Sequence, residues 1–433
     1  VRMENRENPV QTSEYFWLPL DNAAKIFPAV VSDELTMVFR ISAVLRNRIN
    51  INNLFAAVEA ISERFPYYKV KLKKGFFWYY LEHTDIEIPV EFDNKTLCRR
   101  LPEGKYMFRI LAASNRLSIE FSHILTDGTG ALKFFTSLLA MYFEKSGMEI
   151  PSDFKFHRPE ESVRDEEFED SYSRYFQDDV PPMPKRSKAF HIPFPLRPVP
   201  RFNVLYATFP IHEIKTLAAK KGVNVTVYLT AVYLFVLQDI CENRKTIGKG
   251  RKNRRLRIQI PINLRNIYPS ETMRNFSLFV MPEVDLRLGH YTFDEIIKTV
   301  YHQIQLETDE KLVNKILARN VGSEKKLLVR SIPLFLKSLI LYMKYYSLGA
   351  RQYSGVVTNL GKVDLPPVLS NCIERFIVTA PPPNKKLKIN CAIIGFDEKL
   401  VLSFGNITTS REFERKFLKF LSDQDVKVRV SIH

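Results

Sequence analysis

The stretch Phe121–Gly128, which reads FSHILTDG, joins two elements of different character. The residues before it, 116–121, alternate as a β-strand does, and the residues after it, 131–143, form an apolar helical run. A histidine, His123, therefore stands at the end of a strand with a helix opening a few residues beyond it. The first N–H groups of a helix lack partners and carry partial positive charge, so this position suits proton transfer beside a developing anion.

Each residue of the H-x-x-x-D-G spacing also has a purely structural interpretation. Asp127 can cap the helix, since aspartate is a preferred N-cap, and Gly128 can supply backbone freedom. Capping and catalysis are compatible, because the same helix start can hold the oxyanion of a tetrahedral intermediate. A buried Asp127 needs a cationic partner, and the best candidate is Arg265, at the end of a predicted strand. Without that role, Arg265 would be a surface arginine.

The size of the chain predicts more than one lobe. Its 433 residues exceed what one hydrophobic core normally serves, and 45% hydrophobic content excludes a disordered or fibrous protein. We expect an N-terminal lobe over residues 1–180, a crossover at 181–200 and a C-terminal lobe over 201–433. The crossover contains too many prolines for a helix or an inner strand.

Periodicity predicts strands and helices in both halves, which indicates an α/β fold. Strands are predicted at 34–44, 75–82, 106–113, 116–121, 203–209, 256–262, 276–280, 353–359, 373–379, 387–396, 399–405 and 426–431. Helices are predicted at 51–65, 131–143, 212–221, 226–240, 292–319 and 332–346, and from a capping box of Thr409 and Glu412 to 422.

The net charge of +16 has its densest cluster at Lys245–Arg257. This cluster is either a solvated loop or a contact for an anionic partner, such as a phosphorylated small molecule. We expect no nucleic-acid partner, because the chain has neither zinc-finger spacing nor an aromatic-studded RNA-binding motif.

Cysteine usage and hydropathy predict a cytoplasmic protein. The four cysteines lie far apart without CxxC spacing, which argues against a zinc site or a disulfide framework. No signal peptide is recognised at the start of the sequence, and no transmembrane segment is expected. The nearest apolar run, Ile332–Met343, is interrupted by Lys337.

The HxxxDG spacing resembles that of the chloramphenicol acetyltransferase-like superfamily, which includes condensation domains, plant acyl-CoA transferases and alcohol acetyltransferases. Three further stretches resemble its bacterial alcohol acetyltransferase-like branch: Pro261–Arg265 followed by Arg274–Phe276, the TNLG segment Thr358–Gly361, and the helix start Ile332–Lys337. Two patterns differ from other branches. Ser122 stands where condensation domains often have a second histidine, and the DFGWG motif of plant acyltransferases is absent.

The resemblance implies two similar α/β lobes, each a mixed sheet with helices, with a tunnel between them. It implies transfer from an acyl-CoA co-substrate to a small alcohol or amine, without a permanently bound cofactor or a metal. His123 would be the general base with a pKa near neutrality, and Asp127 paired with Arg265 would hold its loop. The remaining implied residues are Gly128 for the oxyanion, with Thr358 or Asn359, and Gly361 on the substrate side.

Two alternatives remain open at this stage. The chain can be a catalytically silent relative that serves as a binding or scaffold protein, since fold does not fix function. It can also take its acyl group from a carrier-protein thioester, as condensation domains do, and its basic surface would suit an acidic carrier.

Overall fold

The computed structural model describes residues 15–94, 96–181, 183–243 and 254–432. The strands in these ranges are β1 Trp17–Pro19, β2 Val38–Leu45, β3 Val70–Lys74, β4 Tyr79–His83, β5 Val90–Phe92, β6 Phe108–Ala113, β7 Arg116–Ser122, β8 Asn203–Pro210, β9 Arg255–Asn263, β10 Ser277–Val280, β11 Glu283–Asp285, β12 Gly355–Val363, β13 Ile373–Thr379, β14 Ile389–Phe396, β15 Lys399–Asn406 and β16 Arg429–Ile432.

The helices are α1 Ile51–Ser62, α2 Gly128–Lys145, α3 Ser171–Arg174, α4 Ile211–Lys220, α5 Val225–Glu242, α6 Phe293–Glu307, α7 Glu310–Lys325, α8 Leu327–Arg330, α9 Leu334–Lys344, α10 Pro367–Ser370 and α11 Glu412–Ser422. A short 3-10 helix at Ala24–Ala29 matters for the site. Residues 245–253 of the basic cluster lie outside the described residues, and Arg255 and Arg257 begin β9.

Two large mixed sheets and one small sheet make up the β structure. The 5-stranded sheet has the order β13-β2-β7-β6-β5, and the 8-stranded sheet has the order β10-β9-β12-β14-β15-β8-β16 with β11 beside β9. The third sheet is β1-β4-β3. Pairing is parallel between β5 and β6 and between β12 and both of its neighbours. The 5-stranded sheet contains residues from both halves of the chain, since β13 pairs with β2. The lobe boundaries predicted from the sequence stay a prediction.

Each large sheet carries its own hydrophobic core. Helices α1 and α2 contribute to a core with the 5-stranded sheet, and α4, α5, α6 and α11 contribute to a second core with the 8-stranded sheet. Capping residues fix where the central helices begin. The side chains of Asn50, Asp127 and Asn224 accept hydrogen bonds from the first turns of α1, α2 and α5. The mixed α/β architecture predicted from the sequence is therefore confirmed.

Helix α5 corrects the expectation that no apolar run reaches membrane-spanning length. By length and composition it is long and apolar enough to cross a membrane. In the fold, however, 72% of it is buried, against α4, α6, α11 and β9. A helix that is apolar on all sides is expected to lie in a protein core, which is where α5 lies.

Other predicted elements are confirmed with shifted ends, and two details are wrong. Thr409 and Glu412 do not form a capping box, because the N–H of Glu412 donates to Ser410 Oγ (3.1 Å) and the N-cap residue Arg411 accepts no hydrogen bond with its side chain. The predicted helix 292–319 is divided at Thr308 into α6 and α7. Strands β1, β3, β5 and β11 were not predicted, since segments this short show little periodicity.

Candidate active site

The loop after β7 holds His123 by backbone hydrogen bonds on both sides. The His123 N–H donates to the carbonyl of Met37 (2.9 Å), just before β2, and the His123 carbonyl accepts from Asn275 Nδ2 (3.0 Å). The chain then turns tightly, with the N–H of Leu125 donating to the Ser122 carbonyl (2.9 Å). The histidine is thus fixed to the edge of one sheet and to a segment from the second half of the chain.

Asp127 is buried, and both of its carboxylate oxygens are occupied. Oδ1 accepts from the N–H of Gly130 (3.0 Å), which caps α2, and Oδ2 accepts from Arg265 Nη1 (2.8 Å) and from the N–H of Phe276 (2.8 Å). The ion pair expected from the sequence is present together with the capping bond. Burial alone would raise the pKa of the Asp127 carboxyl, but Arg265 and the two N–H donors hold it below its usual value.

The other N–H groups of Arg265 donate to backbone carbonyls a few residues further along the chain. Its Nε and Nη2 donate to the Thr272 carbonyl (3.1 and 2.9 Å), and Nη2 also donates to the Arg274 carbonyl (2.6 Å). Nη1 contacts Asn263 Oδ1 (3.1 Å) as well as Asp127. A buried charge needs such complete hydrogen bonding to be tolerated. Arg265 therefore ties the Asp127 loop to residues 272–276.

Gly130 marks a close approach that sequence analysis missed. A Cβ at this position would lie 2.3 Å from Thr126 Oγ1, 2.6 Å from the Met273 carbonyl oxygen and 2.8 Å from the Tyr68 hydroxyl. The Thr126 and Tyr68 hydroxyls both donate to that carbonyl (2.7 and 2.8 Å). The first turn of α2 is thus packed against residues 272–276 with no space for a side chain.

Gly128 is the point where the TNLG segment reaches the start of α2. A Cβ on Gly128 would lie 2.5 Å from a methyl carbon of Leu360. The expected proximity of the HxxxDG motif and the Thr358–Gly361 segment is therefore present at this contact. Within the described residues, the N–H of Gly128 donates no hydrogen bond, as expected for the first residue of a helix.

The three predicted residues of the TNLG segment have different surroundings. Asn359 donates from Nδ2 to Thr226 Oγ1 (2.9 Å) on α5 and accepts from the N–H of Gly361 (2.8 Å). The pairing of β12 with β14 shifts between Asn359 and Lys362, and Gly361 has φ of +80°, which glycine adopts without strain. Because side chains alternate along a strand, Thr358 faces the opposite side of β12 from Asn359.

The imidazole of His123 is half-buried among aromatic rings. Its centroid lies 4.5 Å from that of Phe39 and 6.0 Å from that of Phe27, in the 3-10 helix 24–29. Burial lowers the pKa of His123 to about 4, although the Asp127 charge and hydrogen bonds with the Thr126 backbone and the Asn275 side chain act to raise it. The pKa is lower than the near-neutral value expected, so the ring is neutral at pH 7.

Asn275 connects His123 to a buried carboxyl, Asp21, that no sequence pattern identifies. Asn275 Nδ2 donates to Asp21 Oδ2 (3.0 Å) as well as to the His123 carbonyl. With both amide hydrogens used, its Oδ1 is the atom that can accept from the imidazole. Burial raises the pKa of Asp21 to about 6, although Arg274 lies 3.9 Å away. Asn275 falls in the Arg274–Phe276 stretch of the resemblance, whereas Asp21 lies in a segment without a pattern.

The site offers acid–base and electrostatic groups. In the ranges that the structure describes, no group of three or more His, Cys, Asp or Glu side chains is placed to hold a metal ion. What the described residues bring together is a neutral imidazole, a buried ion pair and an open helix N-terminus.

Sequence comparisons identify no relative: the chain matches no family model and no curated protein. Comparison of folds does find similar structures. Polyketide synthase associated protein 5 from Mycobacterium tuberculosis matches with a TM-score of 0.59 at 11% identity, over 93% of this chain and 97% of that one. TRI101 from F. sporotrichioides, solved with coenzyme A and T-2, matches with a TM-score of 0.59 at 10% identity, over 95% and 99%.

A condensation domain is similar to the same degree. The condensation domain of the Monacolin K polyketide synthase MokA matches with a TM-score of 0.60 at 10% identity, over 94% of this chain and 96% of that one. Because these similarities extend over nearly the whole of both chains, the protein has the fold that acetyltransferases and condensation domains share. The fold that the resemblance implied is therefore confirmed.

Proposed function

We propose that the protein is an acyltransferase that moves an acyl group, acetyl in the simplest case, from acyl-CoA to a hydroxyl or amine acceptor. The observation that carries the proposal is a neutral imidazole beside the open N-terminus of α2, in a loop held by the Asp127–Arg265 ion pair. The shared fold supports it, because TRI101 was solved with coenzyme A and another neighbour is a condensation domain. The proposal requires a passage through which donor and acceptor both reach His123.

His123 acts as the general base. A neutral imidazole has one N–H donor and one nitrogen with a lone pair. The N–H can be donated to the Thr126 backbone or to the Asn275 side chain, and either bond leaves the lone pair unoccupied. The lone pair removes the proton from the acceptor O–H or N–H while the oxygen or nitrogen attacks the thioester carbonyl. Asp127 contacts Arg265 and backbone rather than the ring, so it is a positioning residue.

The start of α2 stabilises the tetrahedral intermediate. The former carbonyl oxygen of the thioester carries a negative charge in this intermediate. The N–H of Gly128 can donate to that oxygen, because it makes no hydrogen bond within the helix. One such donor contributes about 3–4 kcal/mol to a transition state. Of the two further candidates, Thr358 suits this role better than Asn359, whose side chain is engaged with Thr226 and Gly361 on the other side of β12. The intermediate collapses by breaking the C–S bond, and the leaving thiolate takes the proton from His123.

The test compares donors with the intact protein. Release of free thiol from acetyl-CoA is followed with a panel of alcohols and amines, and the acetylated product is identified by mass spectrometry. An acyl-carrier protein thioester in place of acetyl-CoA tests transfer as in condensation domains. Thiol release that depends on an acceptor supports the proposal. A folded protein that releases thiol from neither donor would instead be a binding or scaffold protein.

A further inference from the structure

Helix α9 is oriented in the opposite way from an ordinary surface helix. Lys337 is only 2% exposed, whereas Phe335 is 72% exposed. Further large apolar side chains are exposed along the same helix: Leu336, Leu339, Tyr342 and Met343. Spacings of three and four residues bring them onto one side of the helix with Phe335. Single exposed apolar residues are normal, but a buried lysine beneath a row of exposed apolar side chains is not.

The turn between β3 and β4 fixes this orientation. Lys337 Nζ donates to the Phe77 carbonyl (3.0 Å) and stands 3.6 Å from the centre of the Trp78 ring, a cation–π contact. The N–H of Leu334 donates to the Phe76 carbonyl (2.9 Å). Two hydrogen bonds and one ring contact thus hold the helix with its lysine inward.

The same turn extends the apolar surface. Phe76 is 73% exposed, and Phe77 is also exposed. The α9 face is the surface formed by Phe76, Phe77, Phe335, Leu336, Leu339, Tyr342 and Met343. Contiguous apolar surface of this kind on a protein usually marks an interaction site.

The chain segments around the α9 face are basic, and the flanking carboxylates Glu63 and Glu82 pair with Lys69, Lys71 and Lys73. Residues 325–344 contain five lysines and arginines and no Asp or Glu, and residues 64–81 also contain five and none. Among the described residues, Lys74, Arg330 and Lys344 form no ion pair, and all three are exposed. The α9 face is therefore apolar and bordered by three cations, Lys74, Arg330 and Lys344, that pair with no acid among the described residues.

This combination selects among possible occupants. A second copy docked by twofold symmetry would bring the unpaired cations Lys74, Arg330 and Lys344 of both copies together, and their repulsion would oppose the contact. An anionic phospholipid surface fits both properties. Phenylalanine and leucine side chains enter the boundary of the acyl chains, while lysines and arginines meet the phosphates of the headgroups.

We propose that the α9 face docks the protein on membranes that contain anionic phospholipids. The docking is peripheral, by one helix and one turn, and does not involve α5, which lies in the core. The proposal is independent of acyl transfer and can be tested without any substrate.

The experiment is co-sedimentation of the full chain with vesicles of phosphatidylcholine alone or mixed with phosphatidylglycerol. The double variant F335S/L339S removes apolar area, and K74E/K344E reverses two charges. The matched control is F92S/L288S, which replaces side chains that are 77% and 81% exposed on β5 and after β11. Circular dichroism checks the folding of each variant, and sedimentation equilibrium without lipid measures self-association.

We expect the wild type and the control to bind the mixed vesicles and to bind phosphatidylcholine far more weakly. F335S/L339S lowers the binding constant at least about tenfold. Each reversed charge in K74E/K344E lowers it about fivefold or more, and added salt weakens binding of the wild type. The proposal is overturned if the wild type does not bind the mixed vesicles, if folded F335S/L339S binds as the wild type does, or if the α9 face instead forms a dimer that F335S/L339S abolishes.

Discussion

Two histidines in this protein have the same lowered pKa and different surroundings. His123 and His157 are both half-buried, and burial lowers the pKa of each to about 4. His157 Nδ1 lies 2.8 Å from Arg64 Nη2. A guanidinium can only donate, so Nδ1 of His157 must accept, and the lone pair of that neutral ring is already used. Among the described residues, no arginine faces the His123 ring, whose polar neighbours are the Thr126 backbone and the Asn275 side chain.

The comparison shows that burial lowers the pKa of a histidine but does not decide whether its lone pair is available. A lowered pKa keeps a histidine neutral, but only a ring with an unoccupied lone pair can take a proton from a substrate. The charge nearest each ring also differs: Arg64 lowers the pKa of His157 further, whereas Asp127 raises that of His123. The surroundings of His123 thus suit the proposed base, whereas His157 is a hydrogen-bond acceptor for Arg64.

The largest effect on activity is expected from removing the proposed base, His123. His123→Ala should lower kcat/KM about a thousandfold while leaving the free energy of unfolding close to that of the wild type, because the ring makes few stabilising polar contacts. His157→Gln, which keeps an acceptor for Arg64, should retain nearly full activity. Steady-state thiol release and urea unfolding measure both quantities. Equal loss of activity in the two variants would show that the two histidines do not differ in role.

The next effect concerns the ion pair that holds the His123 loop. Asp127→Ala leaves Arg265 buried without its carboxylate and should lower the free energy of unfolding by about 3–5 kcal/mol, with a loss of kcat. Asp127→Asn keeps an oxygen for the cap of α2 and should lose less of both. Urea unfolding gives the energies. If Asp127→Ala were as stable as the wild type, the loop would not depend on this pair.

A smaller effect distinguishes the two glycines at the start of α2. Gly130→Ala places a methyl group against the Met273 backbone and should destabilise the fold by about 1–3 kcal/mol. Gly128→Ala meets only the end of the Leu360 side chain, which can move, so its main effect should be on kcat through the helix start. Thermal unfolding and kinetics on both variants test this. The reverse ranking in stability would contradict the packing described here.

The smallest effect is on pH dependence. Because the neutral form of His123 persists down to a pKa of about 4, activity should stay flat from neutral pH to about pH 5, where an ordinary histidine of pKa 6.5 would be protonated. The free energy of unfolding should fall as the pH falls over the same range. Below pH 6.5 the unfolded chain binds protons on His123 and His157, whereas these rings stay unprotonated in the folded protein down to about pH 4. An acidic limb of kcat/KM centred near pH 6.5 would contradict the burial of His123.

The sequence predicted those parts of the site that lie within one local pattern. The strand, the histidine and the capping aspartate follow one another, and Arg265 was found because a buried carboxylate needs a cation. Asp21, Tyr68 and Met273 could not be found in this way, since their contacts join residues up to 254 positions apart and no periodicity records such contacts. The lowered pKa of His123 was also missed, because it depends on Phe27 and Phe39 closing over the ring.

The α9 face shows the same limit. The sequence predicts a helix over residues 332–346, and α9 is that helix. Which side of that helix faces inward was decided by a carbonyl and an indole ring some 260 residues earlier in the chain. Residue spacing alone cannot predict an orientation that distant partners select.

The Asp127–Arg265 bond also bears on the order in which the protein matures. A ribosome that has made the first lobe-forming strands has produced His123 but not the arginine 138 positions later, nor the Phe276 amide that shares the same carboxylate. The His123 loop can therefore reach its final shape only after the second half of the chain has emerged and docked. Nascent or truncated chains that stop before Arg265 would contain His123 without the contacts that hold its loop in position.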